Sequence, residues 1–385
     1  MKRKNKNTPA LSIGIAKNTV MAQEFDKVLF GITMLLSIFG IIIIYSATRT
    51  LESNTNVIVQ SVALCLGIAV LIIACLFDYE QFKNLIKPIY IFSIAILILV
   101  LIFGVTGGWG ARSWIRIGSI GFQPAEFAKL CFIITFSYHL DKVREHINKP
   151  LVILGLLAHI AVLVGLIMLQ PDLGSALVFM FMFVCMMFVA KLSYKYIIPI
   201  LIIGVASLPL IYKYGLSEYQ QKRISVFINP ELEPLKGGYN VIQSKIAVGS
   251  GQMWGKGFLE GTQNQMGYLP TKYTDFIFSV VSEEFGFIGS MVIVVLLFAL
   301  IWRCFKVAQK ADNTFGRLIC VGVGSMFLFH VFENVGMCIG LMPVTGIPLP
   351  FISYGGTSLV TNMVAVGLVM SVAYHNKPQN VFDVY

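Results

Sequence analysis

Uncharged apolar stretches recur along the chain near residues 28–48, 57–77, 88–106, 124–140, 151–169, 174–190, 194–212, 285–302, 318–341 and 353–374. Each has about the length of a helix that crosses a hydrocarbon core of roughly 30 Å. None shows the alternation at every second residue that marks barrel strands. A helix satisfies its own backbone in lipid, so the pattern predicts an all-α polytopic membrane protein of about ten transmembrane helices. An even number puts both ends on one side, and the Lys/Arg distribution decides which. Eighteen cations fall in the two tails and the short loops of that side, against Arg49, Arg112 and Arg116 in the short loops opposite. Both termini are therefore expected at the cytoplasmic face. The organisation expected is a basic cytoplasmic tail over 1–27, a transmembrane domain over 28–374 and a cytoplasmic tail over 375–385. A large extracellular loop, 213–284, separates helices 7 and 8.

Composition narrows the function classes. Of 385 residues, 57% are hydrophobic and 12% charged, about half the charge of a soluble domain. A soluble enzyme and a disordered tail are excluded. The net charge of +10 sits in tails and loops beside lipid headgroups, so membrane lipids are expected partners and nucleic acid is not. Seven cysteines are scattered with no CxxC pair, and the five histidines are dispersed singly. Neither a disulfide framework nor a metal cluster is expected.

The polar interruptions fall on one side. GWGARSWIRIG (108–118), QPAEFAK (123–129), QPDLGS (170–175), GLMPVTGIPLPFISYGGTS (340–358) and the 213–284 loop all lie at the outer face, whereas the cytoplasmic loops are short and basic. Motifs from five places converging on one face point to a site there. The long loop is more than a connector. Its Val241, Ile242, Ile246 and Ala247 recur at helical spacing, which predicts an interfacial amphipathic helix.

Several residues in these motifs could do chemistry. Glu126 and Lys129 stand at i and i+3 in a span that opens with Pro124, so they share a helix face. An ion pair inside a membrane span is a functional candidate, and a pair that only locks two helices accounts for it equally. Asp172 is read as a helix cap. Asp275 lies on the outer lip of the aromatic run TDFIFS; desolvation there would raise its pKa toward a general base, while an N-cap role for Thr274 or Asp275 explains the same residues. Arg223, Lys245 and Lys256, beside Gly-rich backbone, could hold a pyrophosphate, or could be headgroup contacts. Glu333 and Ser353 complete the set. There is no Walker motif, dinucleotide fingerprint or GxSxG, so nucleotide-driven transport and serine-hydrolase chemistry have no support.

QPAEFAK, QPDLGS, GYNVIQSKIAVGSGQMWGKGFLEGTQ, TDFIFSVVSEE and GLMPVTGIPLPFISYGGTS, in this order over about residues 25–375, closely resemble the SEDS family (shape, elongation, division and sporulation), its rod-shape branch above the division and sporulation branches. The resemblance implies a peptidoglycan glycosyltransferase of the bacterial cytoplasmic membrane that polymerises lipid II on the outer leaflet. It implies a class B penicillin-binding protein transpeptidase and other wall-elongation proteins as partners. It puts the catalytic aspartate at Asp275 and polar cavity residues at Glu126, Lys129 and Asp172. Ala125 departs from a common Ser, and Thr271 from a usual Glu whose place Glu260 could take. No resident cofactor is expected; a divalent cation at the pyrophosphate is the one inorganic partner that the chemistry allows. The rival classes are a lipid II flippase, which should set its polar groups along a two-sided path at mid-membrane, and a non-catalytic scaffold.

Overall fold

The computed structural model describes residues 25–50, 54–105, 113–117, 120–233 and 237–376. The expected tails lie mostly outside these residues, as do residues 108–112 of the first outer motif. The elements run α1 (Lys27–Thr48), α2 (Thr55–Leu76), α3 (Ile86–Phe103), β1 (Ile115–Ile117), β2 (Ile120–Phe122), α4 (Pro124–Val143), α5 (Pro150–Met168), α6 (Leu173–Val189), α7 (Tyr194–Leu210), α8 (Glu218–Ile228), α9 (Gly237–Ser250), α10 (Thr262–Gln265), α11 (Ile277–Lys310), α12 (Thr314–Ile339) and α13 (Gly356–Tyr374). Every apolar stretch of the sequence lies on a helix. By length and composition α1, α2, α3, α5, α11, α12 and α13 can cross a membrane. The apolar α6 and α7 are shorter, and α4 carries Glu126 and Lys129 in its first turns. Strands β1 and β2 form a small antiparallel hairpin with Arg116 opposite Gly121.

Burial sorts the helices into centre and rim. In α12 and α13, 83% and 72% of the apolar window is buried, against 17% in α3 and 22% in α2. The rim helices expose continuous apolar flanks, as lipid-facing helices do, whereas the central pair carries polar residues that only protein can satisfy. At the α2–α13 crossing Gly367 abuts Leu71 and Ala74; a Cβ there would lie 2.8 Å from the Leu71 carbonyl oxygen. Asp26 accepts a bond from Leu29 N at 3.0 Å and one from Arg303 Nε at 2.7 Å, capping α1 and tying it to α11.

The residues before the last three spans fold onto the bundle. Within α9 the buried positions Val241, Ser244 and Ala247 face α11 and α12, where Ser244 Oγ meets Ser279 Oγ at 2.6 Å and donates to Cys338 O at 2.7 Å. The expected amphipathic helix exists, but its buried face is read by protein hydroxyls and carbonyls.

Helix α11 is two helices meeting at Gly286, with φ 67 and ψ −164. The segment 252–257 fits into that break. Phe287 N donates to Gln252 O at 2.8 Å and Ile288 N to Met253 O at 3.2 Å, while Glu283 O and Glu284 O accept from Lys256 N (2.9 Å) and Gly257 N (3.1 Å). Groups orphaned by the break are thus partnered by the loop. A Cβ at Gly286 would collide with Gly255 N. Gly286→Ala is therefore expected to cost about 1–3 kcal/mol from its backbone conformation alone, with more from the collision. Thermal unfolding and proteolysis of the 252–264 loop measure it.

Candidate active site

The segment 270–276 approaches α11 as a series of turns, with Thr271 at φ 48. Thr271 O accepts from Thr274 N at 3.1 Å and Phe276 N at 3.3 Å. The N-cap of α11 is Phe276, without a side-chain bond, and Thr274 Oγ1 donates back to Thr271 O at 3.2 Å. The capping explanation of Thr274 and Asp275 therefore lapses. Among the described residues no donor holds the Asp275 carboxylate. The side chain is half-buried, and burial lifts its pKa to about 6, with the Arg223 guanidinium pulling the other way. A carboxylate without hydrogen bonds in a partly dry setting has the traits of a base active near neutrality.

Helix α8 supplies the nearby cation. Ser217 opens α8 with a capping box, and Arg223, one turn after Tyr219, donates from Nε to Tyr219 Oη at 2.7 Å with its guanidinium over the same ring at 4.7 Å. The phenol aims the guanidinium through hydrogen bond and cation–π contact together. Lys245 is exposed and lays its stem along Gly340, the left-handed cap of α12. Lys256 is engaged elsewhere: its Nζ lies 2.8 Å from Glu283 Oε1 and donates to Thr262 Oγ1 at 2.6 Å. The buried Glu283 also accepts from Gln263 N (2.8 Å) and Asn264 N (3.0 Å), so it holds the loop 256–264 against α11. Glu260 is exposed, with its carboxylate beside Gly257. Lys272, whose Nζ donates to Asn264 O and to Thr50 Oγ1, has its pKa lowered by burial.

The other motifs meet around the 345–353 strap. Gly346, at φ 80, faces Asp275: a Cβ there would stand 4.0 Å from its Oδ2. Gly174 packs on Thr345 and Ile347 just after Asp172, which caps α6 by accepting from Ser175 N (3.0 Å) and Ser175 Oγ (2.8 Å). Thr345 Oγ1 donates to the buried Glu333 at 2.8 Å. Ser353 Oγ accepts from Leu349 N (2.8 Å) and donates to Thr274 O (2.7 Å). Deeper, Lys129 Nζ donates to Glu126 Oε1 at 2.8 Å and to His330 Nε2 at 2.9 Å, all three side chains being buried. An ammonium only donates, so His330 Nε2 is the acceptor in this contact.

Asp275, Arg223, Asp172 and Ser353 thus gather around the strap, Glu126 and Lys129 lie in α4 against α12, and Lys256 belongs to the loop clamp. His330, Asn334 and Tyr219 escaped the sequence reading. Polar residues at 330, 333 and 334, on adjoining turns of an apolar helix, were the signal for the first two.

Comparison with known proteins fits this architecture. A family model described as cell cycle protein, covering FtsW, RodA and SpoVE, matches residues 26–378. The probable peptidoglycan glycosyltransferase FtsW of Trichlorobacter lovleyi is 35% identical over 91% of this chain and 93% of its own. The peptidoglycan glycosyltransferase MrdB of Escherichia coli K12 is 33% identical over 92% and 95%. A solved chain from a peptidoglycan synthase complex that coordinates polymerization and crosslinking superposes with a TM-score of 0.77 at 30% identity, covering 91% of this chain and 97% of that one. The chain belongs to the FtsW/RodA/SpoVE family of cell cycle proteins.

Proposed function

We propose that this protein is a peptidoglycan glycosyltransferase that polymerises lipid II at the outer face of the bacterial cytoplasmic membrane, for cell elongation and shape, with both termini cytoplasmic. The observation that carries the reading is Asp275: half-buried, held by no hydrogen bond among the described residues, lifted to about 6 and neighboured by Arg223. Its carboxylate takes the proton from the acceptor's sugar hydroxyl, whose oxygen attacks the anomeric carbon of the donor. The bond to the lipid pyrophosphate breaks with inversion, and Arg223 and Lys245 offset the leaving group's charge. A divalent cation at the pyrophosphate is the one inorganic partner that this chemistry allows.

The relatives carry both division and rod-shape names, and the rod-shape assignment rests on the IQSKIAVGSG and GKGFLEGTQ motifs. A class B penicillin-binding protein is the proposed partner, supported by the resemblance to the chain of the peptidoglycan synthase complex. Purified protein given lipid II, with and without that partner, is expected to make glycan strands, faster with it. Transport of lipid II across vesicles without polymer would establish the flippase reading instead.

A further inference from the structure

We propose that Asn334 is a positioning residue for Asp275, setting the backbone of the base and the wall beside it with one side chain. The proposal rests on the reading of Asp275 as the base. A base whose carboxylate no donor grips among the described residues has to be aimed through its own backbone. Three consecutive carbonyls there are gripped from afar: Tyr273 O by Tyr354 N at 2.8 Å, Thr274 O by Ser353 Oγ at 2.7 Å, and Asp275 O by Asn334 Nδ2 at 2.8 Å. The first two grips come from Tyr354, just past the strap, and from Ser353 at its end. The third comes from the last two turns of α12, a helix buried within the bundle.

Asn334 is fully buried, and its Nδ2 donates a second bond, also 2.8 Å, to Ile347 O. Both partners are carbonyl oxygens, so the amide can present only its nitrogen to them. Ile347 follows Gly346, the residue that faces Asp275 Oδ2. One amide therefore sets the distance between the peptide that carries the base and the peptide that walls it. The strap is held on its other flank by Gln60 of α2, whose Nε2 donates to Ser353 O (3.3 Å) and whose Oε1 accepts from Gly355 N (3.1 Å). With the strap fixed on both flanks, loss of Asn334 leaves the Asp275 peptide held from α12 only by the weak Cys338 Sγ contact at 3.8 Å, and a shift of about 1 Å at a reacting group can cost roughly 10²-fold in rate.

The test is steady-state polymerisation of lipid II by full-length protein carrying Asn334→Asp, which keeps the shape and removes the paired donors, with Asp275→Asn measured alongside. Turnover is expected to fall about 10- to 100-fold with KM for lipid II within about twofold of the parent. A contact with substrate would raise KM, and a purely structural role would reduce the amount of folded enzyme while leaving its turnover intact. If Asn334→Asp is not recovered folded, Asn334→Ser, which keeps one donor in less volume, is read by the same two constants. Turnover within twofold of the parent, or a loss that appears in KM, overturns the positioning role. Asp275→Asn active at the parent rate would remove the base itself; Asp275→Asn inactive beside a normal Asn334→Asp would remove only the role of Asn334.

Discussion

Asp275→Asn is expected to accumulate and fold like the parent and to lose roughly 10² to 10⁴ in turnover, the usual worth of a positioned base. Asn matches Asp in shape and caps helices about as well, so a capping role would leave the variant nearly neutral. The structure already argues against capping, because α11 starts at Phe276 with no side-chain bond. What the variant loses is the capacity to take a proton. The same assignment fixes the sign of the pH dependence. Burial raises Asp275 to about 6, and the base works only when ionised. Polymerisation by the parent should therefore fall as pH drops through about 6, approaching tenfold per unit below it. A flat profile between pH 5 and 7, or glycan synthesis by Asp275→Asn at the parent rate, would take Asp275 out of the mechanism.

Lys129→Ala is expected to produce the largest loss of stability. Lys129 is 1% exposed, and its ammonium donates to both Glu126 and His330. Removing it strands a carboxylate that is itself 2% exposed, and breaking a buried pair from one side costs about 3–5 kcal/mol. The double change Glu126→Gln with Lys129→Met should recover much of that loss, since no buried charge is then unpaired. Lys213→Ala is the control: Lys213 is exposed, with its ammonium 5.2 Å from the centre of the Tyr214 ring, and surface changes of this kind shift stability by about 0.5 kcal/mol or less. Thermal unfolding of the purified proteins orders the three, and activity at matched amounts should fall more for Lys129→Ala than for Lys213→Ala. Equal behaviour of the two single variants would show that burial of Lys129 is irrelevant.

Much of the architecture was legible because lipid imposes a simple rule: a segment that crosses must be apolar and must satisfy its own backbone. That rule is local, so counting apolar residues found a helix at every predicted stretch, from α1 to α13. Asp275 was legible too, as a carboxylate next to an aromatic run at the end of a long segment between apolar stretches. Lys129 paired with Glu126 could be read from their i, i+3 spacing. Its second partner, His330, could not, because the two are joined only where α4 packs on α12. Lys256 looked like a free cation beside glycines; Glu283, 27 residues on, claims it. The period in α9 gave the right helix; that Val241 and Ala247 meet protein while Ile246 stays exposed is a division that the same period cannot make.

Hydropathy along the chain determined which segments become helices, and the placement of cations set the orientation expected for them, both through the free energy of moving single residues between water and lipid. The tertiary structure alone decided what surrounds Asp275. Three carbonyls at 273–275 are held by Tyr354, Ser353 and Asn334, residues 59 to 81 positions away, and Gly286 lets a loop replace the hydrogen bonds that a helix break leaves open. Hydrogen-bond partners so far apart in the chain leave no periodic trace in it, because their geometry exists only after the helices have packed.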